Sequence, residues 1–123
     1  MLNSIGKRYP HFVALDDNQV VGWCDVLPAD LRALRAHTGM LGIGVLAKQR
    51  GRGVGGALLR ETLKGARAFG FTRVELAYRA GNAGVARLYE RFGFVREGMQ
   101  RNAVRLDGKY EDVVCMALLM EDR

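Results

Sequence analysis

Apolar and polar positions along the 123-residue chain change period several times, and each change predicts an element. His11-Phe12-Val13-Ala14-Leu15 reads as a strand, Asp16-Asp17-Asn18 as a tight turn, and Gln19 to Leu27 as the antiparallel partner. Pro28-Ala29-Asp30 stops this hairpin. Residues 31–39 form a polar, arginine-bearing connection with room for one helical turn, and Met40 to Leu46 is a second apolar run of strand length.

From about Gly53 to Phe69 the period becomes helical, with Val54, Leu58, Leu59, Thr62, Leu63 and Ala66 on one stripe and Gly70 where a left-handed cap is easiest. Thr72 to Tyr78 is a strand reached through that helix, so a right-handed crossover should set it parallel to the 40–46 strand or close beside it. After a loop at Arg79-Ala80-Gly81, Asn82 is the expected N-cap of a short helix. Its buried face is Val85, Ala86, Leu88, Tyr89 and Phe92, and it closes at Gly93. Phe94 to Arg105 and Tyr110 to Met120 are two long strands joined at Asp107-Gly108, a strong hairpin signal. Met1 to Pro10 shows little pattern and is expected to be loosely attached. The order is that of an α/β sheet, antiparallel at its ends.

The stretch around which the rest is arranged is 40–63. Gly51, Gly53, Gly55 and Gly56 fall within six residues at the expected helix start, where glycine is costly unless the backbone must come close to something. Unpaired N–H groups at a helix N-terminus, without β-carbons in the way, make a ready seat for phosphate. Lys48, Arg50 and Arg52 add full positive charges. The alternative is a helix start made small for tight packing, with solvated arginines around it. Gly51, Gly53 and Gly56 also satisfy Gly-x-Gly-x-x-Gly, with Glu75 near the place of a ribose-binding acid. Here, however, Ala47 to Arg50 separate strand from glycines and Glu75 lies inside a strand, so a dinucleotide fold is the weaker reading. A Walker loop is excluded, since no Gly-Lys-Ser/Thr triplet occurs.

Composition narrows the function classes. A chain of 123 residues with 49% apolar content makes a single domain over 1–123. No segment approaches the ~18 apolar residues of a membrane helix, and the N-terminus lacks a signal-peptide core, so a cytoplasmic protein without membrane partners is expected. Cys24 and Cys115 lie in apolar runs that suit reduced thiols, and two cysteines with two distant histidines make a poor zinc set, so no metal is expected. The net charge of +6 comes from 19 basic residues, 15 of them arginine, but they are spread along the chain without aromatic interleaving. That pattern favours an anionic small molecule over nucleic acid.

Arg50-Gly51-Arg52-Gly53-Val54-Gly55 reads Arg-x-x-Gly-x-Gly, which resembles the acetyl-coenzyme A loop of the GNAT superfamily of N-acetyltransferases. Val20-Val21-Gly22-Trp23 looks like the strand preceding the family's cofactor strand. Asn82 to Phe94 is similar to the family's Asn-x-x-Ala-x-x-x-Tyr-x-x-x-Gly-Phe segment, with Asn82, Ala86 or Val85, Tyr89, Gly93 and Phe94 in register or within one position. The closing stretch RLDGKYEDVVCMALL resembles the final hairpin of bacterial small-molecule members. The resemblance covers residues 12–120. It implies a mixed, mostly antiparallel central sheet with helices on its faces, acetyl-CoA as cofactor, and transfer of its acetyl group to the primary amine of a small molecule by direct attack in a ternary complex.

The family also implies roles for individual residues. Pyrophosphate would lie on the amides of Gly51, Gly53, Val54, Gly55 and Gly56, with charge from Arg50 and Arg52. Pantetheine would pair with Ile43, Gly44 and Val45, where Gly42 and Gly44 suit a bulge or close approach. An N–H near Val45 could hold an oxyanion. Asn82 would bond the pantetheine or the loop, and Arg91 would reach a phosphate or face water. Tyr89 is the candidate general acid for the departing thiolate. The base is open: residues 38–46 hold no carboxylate. His37 is the first candidate, Asp25 and Glu75 are weaker ones, and His11 has only its side-chain type in favour.

Family members usually begin with a further strand and one or two helices, whereas this chain has only Met1 to Pro10 there. A missing layer would expose an edge and an apolar face, so a homodimer or higher oligomer is expected and turnover is put in question. Two other readings stay open: a non-catalytic acyl-CoA-binding or regulatory module, and a nucleotide- or nucleic-acid-binding protein using the basic glycine loop.

Overall fold

The computed structural model describes residues 1–6 and 8–120. Seven strands form one sheet: β1 (Leu2–Ser4), β2 (His11–Asp16), β3 (Gln19–Pro28), β4 (Thr38–Val45), β5 (Arg73–Arg79), β6 (Val95–Leu106) and β7 (Lys109–Leu119). Their spatial order is β1-β2-β3-β4-β5-β7-β6. Every neighbouring pair is antiparallel except β4 with β5. The two α-helices, α1 (Val54–Phe69) and α2 (Val85–Arg91), follow β4 and β5. The fold is thus mixed α/β, and the β4-α1-β5 crossover makes the one parallel contact that the sequence pattern demanded.

Both β2–β3 and β6–β7 are tight hairpins. Asp17 and Asn18 have φ of 51° and 63°, and Asp107 and Gly108 have 53° and 76°. Two successive positive φ values are the turn whose twist matches that of the flanking strands, and Asp, Asn and Gly tolerate it best.

Helix α1 buries Leu58, Leu59, Thr62, Leu63 and Ala66, the stripe its spacing predicts, and Gly70 closes it at φ 112°. These side chains pack on Ala14, Cys24, Val26 and Leu41, and the cluster continues through Val74, Leu76, Val114, Met116, Tyr89 and Phe94. Residues directly opposite across a ladder share a face, so Cys24, Val26, Leu41, Val74, Leu76 and Met116 all lie on the side that carries α1 and α2. Val21, the extra residue where the β2–β3 register shifts, also turns into this cluster. The other face carries Trp23, Leu27, Met40 and Leu119, each at least 40% exposed. Both α-helices therefore take the same face of the sheet.

Several expectations need correction. Leu2–Ser4 do not belong to a loose start: Leu2, Asn3 and Ser4 pair with Ala14, Val13 and Phe12. Met1 and Leu15 also exchange backbone hydrogen bonds of 3.2 and 2.8 Å. A three-residue edge strand held by backbone groups leaves no hydrophobic period to read. Asn82 is not the cap of α2; it ends a 3₁₀ turn (Ala80–Asn82), and Gly84 stands at the N-cap without a side-chain bond. Nor does β4 bulge at Gly42 or Gly44, whose register against Asp25 and Trp23 is regular. Those glycines make room for the Trp23 indole instead: a β-carbon on Gly44 would lie 3.0 Å from Trp23 Cε2, and one on Gly42 would lie 3.1 Å from Cζ3.

Candidate active site

The parallel ladder between β4 and β5 is short. Thr38, Gly39 and Met40 pair with Arg73, Val74 and Glu75, and there it ends, although both strands continue. Beyond Met40 the strands part. Leu46 N–H donates to the Val21 carbonyl at 2.9 Å, and Ala29 N–H to the Thr38 carbonyl at 3.0 Å. In an antiparallel ladder the direction of backbone groups alternates, so even-numbered residues of β4 face β3 while Ile43 and Val45 turn their N–H and C=O groups toward the gap. Gly44 turns its backbone to β3 and offers the gap only its bare surface.

The gap opens into a cleft of about 620 Å³ between the end of β4, the start of α1 and α2. Its upper wall is the glycine loop. A 3₁₀ turn (Ala47–Gln49) leads out of β4, with Arg50 N–H donating to the Ala47 carbonyl at 3.2 Å. Gly51 and Gly53 then adopt φ of 80° and 81°, which a side chain would strain. Gly53 is the N-cap of α1, with no side-chain cap and no acid in the first turn. The first intrahelical bond is Ala57 N–H to the Gly53 carbonyl at 3.0 Å, so the amides of Val54, Gly55 and Gly56 have no helical partner. Three bare donors at the positive end of a 16-residue helix, next to Arg50, form an anion cradle.

A tether fixes the loop from below. Gln49 is buried, and its Nε2 donates to Oδ2 of Asp16, the last residue of β2, at 3.2 Å.

Tyr89 forms the opposite wall. Its ring packs at 6.0 Å from Tyr78 and 6.1 Å from Phe94, and it lines the cleft. Burial, followed by the nearby Cys24 thiol and Tyr78, pushes its pKa above that of an ordinary phenol. The hydroxyl therefore keeps its proton at neutral pH and can donate it.

Of the residues that sequence reasoning chose, Ile43, Gly44, Val45, Arg50, Gly51, Gly53, Val54, Gly55, Gly56, Asn82, Tyr89 and Arg91 all line this one cleft. Two do not. Arg52 is exposed outside the lining. His37 precedes β4 at its far end, where its carbonyl accepts from Thr72 and Arg73, and seven residues of strand put it roughly 20 Å from Gly44. Gln49, Gly84, Val85 and Leu88 were missed as lining residues. Val85 and Leu88 carried the right helical spacing but were read only as core. Gln49 carried no signal, since its side-chain partner is an aspartate 33 residues away.

Residues 3–94 match the Acetyltransferase (GNAT) family. The chain belongs to this family. It is 32% identical over 106 residues to the L-amino acid N-acetyltransferase AaaT of Escherichia coli K12, a match covering 85% of this chain and 65% of that protein. The chain thus spans just under two thirds of that relative's length. Among solved structures, the ribosomal-protein-alanine N-acetyltransferase from Brucella melitensis superposes with a TM-score of 0.86 at 28% identity, over 91% of this chain and 69% of that one. A GNAT phosphinothricin acetyltransferase from Sinorhizobium meliloti, solved in complex with AcCoA, gives 0.85 at 25% identity, over 91% and 61%.

The two thiols of this GNAT chain differ sharply. Cys24 is fully buried on the face of β3 that packs against α1, and burial pushes its pKa up to about 12, whereas Cys115 is half-buried on the opposite face. Iodoacetamide at pH 8 should therefore modify Cys115 first in the folded protein and both thiols only after denaturation, as read by mass spectrometry.

Proposed function

We propose that the protein is an N-acetyltransferase that moves the acetyl group of acetyl-CoA to the primary amine of a small molecule, by direct attack in a ternary complex. The observation that carries this reading is the uncapped, glycine-built start of α1 beside Arg50, continuous with the unpaired backbone edge of β4. A pyrophosphate needs the first and an extended amide-bearing chain needs the second. Membership of the family and a relative solved with AcCoA support the same cofactor.

In this reading the amides of Val54, Gly55 and Gly56 hold the pyrophosphate, with Arg50 and Arg91 supplying charge at the cleft wall. Ile43 and Val45 bond the pantetheine arm as a neighbouring strand would, and Asn82 offers a carboxamide on the other side. When bound, acetyl-CoA supplies an activated thioester carbonyl. The Val45 N–H donates to the oxygen that gains charge, and Tyr89 donates a proton to the leaving sulfur. Val85 and Leu88 line the cleft with apolar surface and keep water away from this exchange.

Calorimetric titration with acetyl-CoA tests the reading. The intact protein should bind it, and an Arg50→Ala, Gly53→Glu double variant should lose at least about tenfold in affinity, because its added carboxylate repels the pyrophosphate. Absence of binding to the intact protein would overturn the proposal. Tyr89→Phe should bind acetyl-CoA normally yet lower kcat by about a hundredfold in a thiol-release assay with amine acceptors.

We also infer that the protein self-associates. Trp23, Leu27, Met40 and Leu119 expose apolar surface on the face without α1 and α2, and β6 presents a twelve-residue edge. Sedimentation velocity should show a dimer or larger species, and a monomer at every concentration would refute this.

A further inference from the structure

The stretch that carries Asn82 into the cleft wall is held from outside the cleft. Gly81, Asn82, Ala83 and Gly84 are all exposed, and α2 follows them without a side-chain cap. A helix of seven residues is too short to order this stretch by itself, and exposed backbone with few buried contacts opens locally at little cost. Ala80 packs on the core at one end, and Ala86 N–H donates to the Ala83 carbonyl at 3.1 Å at the other. Between these two points Gly81 N–H donates to Glu111 Oε2, on β7, at 2.7 Å.

Glu111 is shaped to this contact. It lies on β7 past the Arg79–Val113 pair with which the β5–β7 ladder ends, so its carboxylate reaches over the end of β5. Arg79 Nε stands 3.7 Å from Oε1, which leaves Oε2 to the amide. A β-carbon on Gly81 would collide with that same Oε2. Gly81 takes no left-handed φ that would call for glycine; the close approach of the carboxylate is what calls for it. Across the hairpin Glu111 faces Val104, so the pairing of β6 with β7 makes no use of the charge. A bond from a backbone N–H to a carboxylate is roughly twice as strong as a neutral one, and what it fixes here is the turn before α2.

We propose that Glu111 is a positioning residue for the cofactor: it clamps the Ala80–Asn82 turn at Gly81 and so keeps Asn82 in the cleft wall. This rests on the acetyl-CoA reading and adds to it a side chain that does not itself line the cleft. Tyr89 is independent of the clamp, because its ring is seated against Tyr78 and Phe94. Losing the clamp therefore loosens the hold on pantetheine through Asn82 and leaves the proton donor in place.

The test uses the full chain and calorimetric titration with acetyl-CoA, each variant being checked first for unchanged thermal melting. A wild type that binds none would remove the cofactor reading and this inference with it. With the wild type binding, Glu111→Ala should raise the dissociation constant about tenfold, whereas Glu111→Gln, whose amide oxygen still accepts from Gly81, should stay within about threefold of wild type. Asn82→Ala should also weaken binding about tenfold, and adding Glu111→Ala to it should change affinity by less than about twofold, since both act through one group. Gly81→Ala, which displaces the carboxylate, should match Glu111→Ala and add nothing to it; if Glu111→Ala melts early, Gly81→Ala takes its place in the cycle with Asn82→Ala. Wild-type affinity in Glu111→Ala, effects of Glu111→Ala and Asn82→Ala that multiply, or failure of Glu111→Gln to rescue would each overturn the assignment.

Discussion

The parting of β4 and β5 after three paired residues is the constraint on which the rest of the molecule depends. A sheet gains from every ladder bond it closes, yet here β4 and β5 run on past Met40 without joining. The lost bonds are left as free donors and acceptors at Ile43 and Val45. Two arrangements keep the strands apart without unravelling the sheet. β4 is held along its length by β3, seven paired residues from Gly22–Val45 to Pro28–Gly39, and β5 is held equally fully by β7. Each strand can afford an open flank because its other flank is closed.

Helix α1 ties this opening to the core. Its body buries Leu58, Leu59, Leu63 and Ala66 against β2, β3 and β4, so the position of its first turn is set by buried core contacts. The glycine loop then has little freedom left, and the Gln49–Asp16 bond removes more. A binding surface made of backbone amides gains rigidity from packing that touches no ligand. The same logic applies to Tyr89, whose ring is part of the core while its edge of the cleft stays open.

Much of this was legible in the sequence because it follows from short-range rules. The α1 stripe, the Gly70 cap and the Asp107-Gly108 turn are each decided within one or two turns of chain. The cleft was legible for a related reason, since glycines at a helix start have few other uses. What escaped was set by partners far along the chain. The Leu2–Ser4 strand forms through its pairing with Phe12–Ala14, and Gln49 finds its hydrogen-bond partner, Asp16, 33 residues away. His37 looked close to the site because it is close in sequence to β4, but an extended strand carries a neighbour in sequence far away in space. Gly42 and Gly44 suited a bulge or a close approach, and the structure shows no bulge there. The backbone is regular, and the indole across the ladder is what needs the space.

The uncapped start of α1 has a consequence for the stability of the whole chain. The amides of Val54, Gly55 and Gly56 converge only when α1 is formed and seated, so an unfolded chain offers an anion nothing comparable. A ligand that binds there is thereby a folding ligand. At a concentration a hundred times its dissociation constant, it adds about 2.7 kcal/mol to the free energy of unfolding, a sizeable part of the roughly 5–15 kcal/mol by which domains are stable at all. The protein's lifetime in a cell would then follow the supply of that ligand, and its abundance would report on acyl-donor concentration before any product is made.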